Sequence, residues 1–194
     1  CIRAYYRHFA TMHKMNTKRG VYYLADTMMN ETEDCDTLVD IARLARHAVE
    51  YFAQKPVMAM ISYSNFGSNR AQSPRAVHEA VEVLQQRYPD LCIDGEMQVN
   101  YALNRQIRDR NYPFSRLYGK DVNTLIFPNL NASSAAYRMM LEMGLCEVIG
   151  PIQIGLNKPV HFISVEAKVR DIVNLAIIAT MDAAVSGKAP LADK

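Results

Sequence analysis

The stretch "TLIFPNLNASSAAYRMMLEMG" (124–144) decides the fold class, because a short apolar β-rich run is followed at once by a longer segment of helical period. "TLIF" (124–127) reads as a strand, the chain after Asn131 reads as a helix, and Gly144 supplies its stop. The same alternation recurs on both sides of it. Further candidate strands are "VYYLA" (21–25), "VMAMIS" (57–62), "LCI" (91–93), "EVI" (147–149) and "VHFI" (160–163). Between them, Leu38, Ile41, Ala42, Ala45, Ala48, Val49 and Phe52 share one helix face, and Val77, Ala80, Val81 and Leu84 share another. The acidic run "ETEDCD" suits the first helix's N-terminus. In "SPRAVHEAV", Ser73 is placed as N-cap and Pro74 as first helical residue. Val169, Ile172, Val173, Ala176, Ile177 and Thr180 follow the i, i+3, i+4, i+7 rule of a final helix's apolar face. The whole predicts a three-layer α/β/α fold with a largely parallel sheet.

At the ends, "CIRAYYRHFATMH" (1–13) reads as though already inside a helix, and "SGKAPLADK" (186–194) as a frayed tail. A first residue that is Cys and not Met suggests a chain cut from a longer one. With 194 residues, 49% of them hydrophobic, the chain can close a core as one domain or two small lobes. Twenty-two Lys and Arg against 20 Asp and Glu leave a charge of +2, which argues against a nucleic-acid partner. Cys1, Cys35, Cys92 and Cys146 are widely separated, lack zinc-ligand spacing and read as reduced thiols of a cytoplasmic protein. No apolar run approaches the roughly 18 to 20 residues that span a bilayer, and no signal-peptide core is present, so no membrane partner is expected.

Four stretches could carry chemistry. "SYSNFGSN" (62–69) follows a strand and offers Ser62, Ser64, Asn65, Gly67 and Ser68 at the sheet's carboxyl end, where an anion could bind or a polar loop could simply turn. It matches neither a Walker loop nor a GxGxxG fingerprint. "DGEMQ" (94–98) reads as a turn that could hold Asp94 and Glu96 in a cleft. "RQIRDRNYPFSR" (105–116) gathers Arg105, Arg108, Arg110 and Arg116, either as an anion site or as a solvated helix end. The five histidines show no metal spacing and no dyad pattern, and His161 reads as a hydrogen-bonded structural residue.

The strongest candidate is the fourth, "GPIQIGLNKPVHFISVEAKVRDIVNLA" (150–176). Gly150, Pro151 and Gly155 shape a tight turn in this reading, Ser164 follows a strand, and Asp171 falls in a helix's first turn, where the macrodipole favours a carboxylate. A carboxylate there could act as a base or merely cap the helix. Lys158 and Lys168 are the loop's only positive charges, and neither is next to Ser164.

Taken in order, "GVYYLADTMMN" (20–30), "MISYSNFGS" (60–68), "PDLCIDGEMQ" (89–98), "YPFSRL" (112–117), "NTLIFPNLNASSAAYRM" (123–139) and "IGPIQIGLNKPVHFIS" with "VRDIVN" (149–164, 169–174) resemble the phosphate acetyl/butyryl transferase family. "SNFGS", "GEMQ", "YPFSRL" and "KPVH" look closest to the C-terminal transferase-like domain of multidomain bacterial NADP-dependent malic enzymes. The resemblance implies an isocitrate/isopropylmalate dehydrogenase-like fold in two lobes. Residues 1–152 would form the second lobe and 153–194 would return to an incomplete first lobe, with the malic enzyme catalytic portion lying elsewhere in a longer protein. It also implies a homodimer or higher oligomer built through this domain, and contact with the protein's own malic enzyme domain.

In active transferases the final loop reads roughly Ser-Arg-Gly before a Ser-x-x-Asp helix start, with serine and arginine holding phosphate and carbonyl and aspartate acting on the coenzyme A thiol. Ser164 and Asp171 match, whereas Val165 stands at the arginine, Glu166 at the glycine, Lys168 at the capping serine, and Ile149 where tyrosine is usual. A hydrocarbon cannot neutralise phosphate and a glutamate beside it repels one, so the expectation is a vestigial site without catalytic residues in working order. The implied role is regulation of a malic enzyme that decarboxylates malate to pyruvate with NADP and Mg or Mn held by residues not in this chain. Acetyl-CoA would be the effector, bound among Ser64, Asn65, Gly67, Ser68, Gly150, Gly155, Lys158, Ser164 and Asp171, with no metal or other cofactor here. The alternative is a working phosphate acetyltransferase moving acetyl between coenzyme A and phosphate.

Overall fold

A computed structural model describes residue 2 and residues 6–31 and 34–186 of the chain. Among the described residues there are six strands and six helices. They are β1 (Ala10–Thr17), β2 (Gly20–Ala25), α1 (Cys35–Tyr51), β3 (Met58–Ile61), α2 (Gln72–Arg87), β4 (Ile93–Met97), α3 (Val99–Leu103), α4 (Arg105–Asn111), β5 (Thr124–Ile126), α5 (Leu130–Glu142), β6 (Cys146–Ile154) and α6 (Val169–Ser186). The strands form one sheet in the order β4-β3-β5-β2-β1-β6. β2, β5, β3 and β4 run parallel, while β1 is antiparallel to both β2 and β6.

Both faces of the sheet are covered, as strand alternation requires. Tyr23, Ala25, Met58, Met60, Ile93 and Ile126 point into one cluster under α1, α2 and α6. Their neighbours Leu24, Ala59, Ile61, Met97 and Leu125 point into a second with α3 and α5. Each fully buried Met or Leu of these layers contributes on the order of 1.5–3 kcal/mol relative to exposure.

Helix starts follow their caps. Asp34 accepts from Thr37 N at 2.8 Å before α1, as the acidic run suggests. Asn129 accepts from Ala132 N at 3.0 Å, so α5 opens at Leu130 and not after Asn131. α2 also opens early, at Gln72 after Ala71, which places Ser73 inside the helix. Pro74 still costs no bond there, because the first four helical N–H groups have no intrahelical partner.

Five sequence expectations need correction. The stretch around residue 10 is not helical: "ATMHKMNT" is β1, paired on both sides and closed onto β2 by a two-residue loop between Thr17 and Gly20. Burial on both faces of β1 hides the period-2 signal. "DGEMQ" is not a turn but most of β4; Gly95 is required because a Cβ there would lie 2.6 Å from Met60 O on β3. Gly150 and Pro151 do not turn the chain either. β6 runs through them, with a register irregularity opposite Met12 and Lys14, and a Cβ on Gly150 would meet His13 Cδ2 at 2.7 Å.

"VHFI" forms no strand: it has no regular secondary structure, and Val160, Phe162 and Ile163 are exposed. On α6 the predicted apolar face looks outward: Val169 is 77% and Ile177 52% exposed, while Leu175 at 5% and Ile178 at 7% meet the core. α6 carries apolar residues on both sides, so spacing could not choose between them.

Candidate functional site

The segment 155–168 leaves the sheet-edge strand β6 and enters α6. Gly155, with φ +94, makes the exit in a place where a Cβ would press on Leu44 at 2.9 Å. Ser164 Oγ accepts from Glu166 N at 3.2 Å, and Ser164 O accepts from Ala167 N at 3.0 Å. Asp171 Oδ2 accepts from Lys168 N at 2.9 Å, while Asp171 N donates to Lys168 O. Both residues matching the transferase pattern thus serve the local turn and helix start. Val165, Glu166, Lys158 and Lys168 are all exposed.

A cation does sit at this helix start, and reading the loop alone missed it. Arg170, immediately before Asp171, donates to both carboxylate oxygens of Glu147 on β6 at 3.1 and 2.7 Å. That fork holds Glu147 below the usual carboxylate range and raises Arg170. The i to i+1 step from Asp171 was the available sequence signal; the partner, 23 positions away, was not.

The "SNFGS" loop is closed on an anion of its own. Glu96, fully buried on β4, accepts from Ser64 Oγ at 2.8 Å and Gly67 N at 2.6 Å, and its other oxygen faces His78 Nδ1 at 3.0 Å. Ser68 Oγ accepts from Asn65 N and lies 3.0 Å from Ser64 Oγ, and Asn65 Oδ1 accepts from Gln98 N. The donors proposed from sequence for an external anion are therefore engaged by a carboxylate that the sequence placed in a separate turn. His78 and Glu96 form one of the histidine–carboxylate pairs that spacing does not disclose; His8 and Asp40, 3.1 Å apart, form another.

These two halves of the candidate set lie far apart. β3 and β6 are separated by β5, β2 and β1, so four strand spacings of ~4.8 Å put them about 19 Å apart across the sheet. Gly150 belongs with neither loop: it backs onto His13, which is buried, bonded to Thr27 Oγ1 at 2.8 Å and stacked on Tyr137 at 4.3 Å. Burial, assisted by Arg138, pushes His13 down to about 4. Beside it Asp26 accepts from Thr11 N, Thr11 Oγ1, Met28 N and Asn30 N, a satisfied buried carboxylate at the carboxyl end of β2.

The arginines of 105–116 have separate roles. Arg108 is fully buried, with its guanidinium on the carbonyls of Ala102, Leu117 and Lys120, and so is neither an anion site nor solvated. Arg105 pairs with Asp121 at 3.0 Å. Asp94 accepts from Ser115 Oγ and Arg116 N, pinning "YPFSRL" to β4. His161 Nδ1 accepts from Gln153 N at 3.2 Å, the structural bond expected of it.

Among the described residues no group of three or more His, Cys, Asp or Glu could hold a metal, and no helix is long and apolar enough to cross a membrane.

Similarity to known proteins agrees with this architecture. The NADP-dependent malic enzyme of Escherichia coli (strain K12) is 37% identical over 166 residues, covering 84% of this chain and 22% of that protein. The phosphate acetyltransferase of Bacillus subtilis (strain 168) is 33% identical over 162 residues, covering 84% of this chain and 50% of that one. The chain thus spans about half of the transferase and about a fifth of the malic enzyme. Among solved structures, a phosphotransacetylase from Streptococcus pyogenes superposes with a TM-score of 0.89 at 31% identity, over 95% of this chain and 56% of that one. The phosphate acetyl/butaryl transferase pattern itself matches residues 4–180, and the chain belongs to that family.

Proposed function

We propose that this chain is the regulatory and oligomerising module of an NADP-dependent malic enzyme, sensing acetyl-CoA at a site descended from an acyltransferase. The parent reaction is oxidative decarboxylation of malate to pyruvate and CO2, with NADP and a divalent metal bound outside this chain. The observation that carries the reading is the loop at Ser164. Where the transferases it resembles carry arginine, Val165 stands fully exposed with Glu166 after it. Losing a charge-assisted contact to phosphate costs about 1.5–3 kcal/mol. Ser164 and Asp171 remain but are committed to backbone N–H groups. An effector bound beside Gly155, Lys158, Ser164 and Asp171 would act through its differential affinity for two states of the oligomer.

The two-lobe, isocitrate dehydrogenase-like arrangement belongs to the same reading, with 153–194 returning to a lobe supplied by further chain. It is supported by the exposure of Val160, Phe162, Ile163, Val169, Ile172 and Ile177, six large apolar side chains within 160–177.

A working phosphate acetyltransferase is the second reading, and Arg170 favours it: released from Glu147, it would return a cation to Asp171. Acetyl phosphate formation from acetyl-CoA and phosphate by the whole protein distinguishes them. Turnover comparable with that of phosphate acetyltransferases sinks the regulatory reading. Calorimetry with acetyl-CoA tests the ligand, and absence of heat at millimolar concentration leaves only a structural module.

A further inference from the structure

A cavity of about 460 Å³ opens at the amino ends of β3, β4 and β5, the end of the sheet opposite the "SNFGS" loop. Lys55 reaches it from the approach to β3, Cys92 from the approach to β4, and Arg116 and Lys120 from the approach to β5. Val57 and Leu91 give it an apolar wall. Arg116 is the one arginine of the 105–116 stretch whose side chain the fold leaves without a partner or a wall of its own to line elsewhere.

Among the described residues the charged lining is three cations and one acid, and the acid is already engaged. Asp90 Oδ2 accepts from Arg46 Nη2 at 2.6 Å, a bond that holds Asp90 below the usual carboxylate range. The side chains of Lys55 and Arg116 make no hydrogen bond or ion pair among the described residues. Lys120 Nζ donates to Arg116 O at 3.0 Å and to Cys92 Sγ at 3.3 Å, neither of them a carboxylate, which leaves the third N–H of its ammonium to give. Like charges gathered on one concavity with an apolar wall repel one another and focus a positive potential into it, so an anion entering there is drawn in and relieves the repulsion. An arginine fork matches two oxygens of one phosphate or carboxylate, and each lysine adds a point charge for a further group.

We propose that this cavity is a binding site for a small polyanion, a phosphate-bearing or polycarboxylate molecule, with the Arg116 fork on one anionic group and Lys55 and Lys120 on the others. The volume is within the range of small-molecule sites. The site is independent of the acetyl-CoA reading, since no residue of that candidate set lines the cavity.

Pyrophosphate and citrate are the probes and acetate the monovalent control, titrated calorimetrically into the full chain at low ionic strength. One or both polyanions bind more tightly than acetate, and which of them does so separates a phosphate ligand from a carboxylate one. Arg116→Gln lowers that affinity by about twofold to fivefold, the worth of an exposed charge pair. Arg75→Gln makes the same charge change at the start of α2, beyond the carboxyl end of β3, and leaves the affinity unchanged. Cys92 supplies a local readout: bound polyanion slows its alkylation by iodoacetamide, followed by peptide mass spectrometry, while Cys35 and Cys146, which do not line the cavity, react as before. Arg116→Gln should melt within about 2 °C of the parent, since its side chain has no partner to lose; if it melts lower, Lys55→Gln makes the same test from the β3 side. The proposal is overturned by any of four results: no binding of either polyanion at millimolar concentration, equal binding of acetate, an equal loss in Arg75→Gln, or an unprotected Cys92 at saturation.

Discussion

Restoring the transferase pattern with Val165→Arg and Glu166→Gly is the most direct perturbation of the reasoning about the loop. Both side chains are exposed and neither makes a side-chain hydrogen bond or ion pair among the described residues, so the fold should tolerate the change to within about 0.5 kcal/mol. The local charge rises by two. In an open loop each new favourable pair is worth the modest surface value, and together they should raise phosphate affinity by about twofold to thirtyfold. The upper end requires that further chain close over the loop and exclude water. Titration of inorganic phosphate at low and at high ionic strength, followed by amide shifts near Ser164, measures the gain. The gain must shrink with salt, because exposed charges are screened over about 10 Å at ~0.1 M. Equal affinity of parent and variant at low salt refutes the proposal that Val165 and Glu166 weaken phosphate binding at this loop. Recovered acetyl transfer would further show that Ser164 and Asp171 can leave their backbone partners.

Other expectations follow from single contacts. Gly95→Ala places a Cβ 2.6 Å from Met60 O at φ +148, so β3 and β4 must part, and urea denaturation should show a loss of about 3 kcal/mol or more. His13 is held near 4 in the fold against 6.5 unfolded. The unfolded chain therefore binds the extra proton, and stability is full above about pH 6.5 and falls toward pH 4, by about 2 kcal/mol between about pH 7 and pH 5. His13→Asn should flatten that part of the profile; an unchanged slope would reassign it to other groups. Ile172→Lys with Ile177→Lys, on the outward face of α6, should leave this chain's stability within about 0.5 kcal/mol while lowering self-association in sedimentation, and should destabilise a longer protein if that face is covered there.

How much was legible depended on how local each signal was. The βα unit at 124–144, the faces of α1 and α2, and the acidic N-terminus of α1 are written in spacing and caps, and the structure keeps them with shifts of one or two residues. The loop at Ser164 was located for the same reason, since Ser164 and Asp171 bond only to near neighbours. β1 escaped because a strand buried on both faces has no alternation to read. Gly95 and Gly150 read as turn residues in the sequence because glycine marks both tight turns and close approaches, and only the neighbours, Met60 O and His13, tell the two apart.

By itself the sequence determined the alternating layers, the inward faces of α1 and α2 and the family, because periodicity and linked motifs are properties of the chain. Only the tertiary structure decided which donors are free. Glu96 lies 29 positions from Gly67, and Glu147 lies 23 from Arg170, yet each occupies the partner that a ligand would have needed. It likewise decided which side of α6 faces the core, because apolar residues lie on both sides of that helix. Hydrogen bonds and ion pairs form between whatever the fold brings within about 3 Å, and separation along the chain carries no record of that distance.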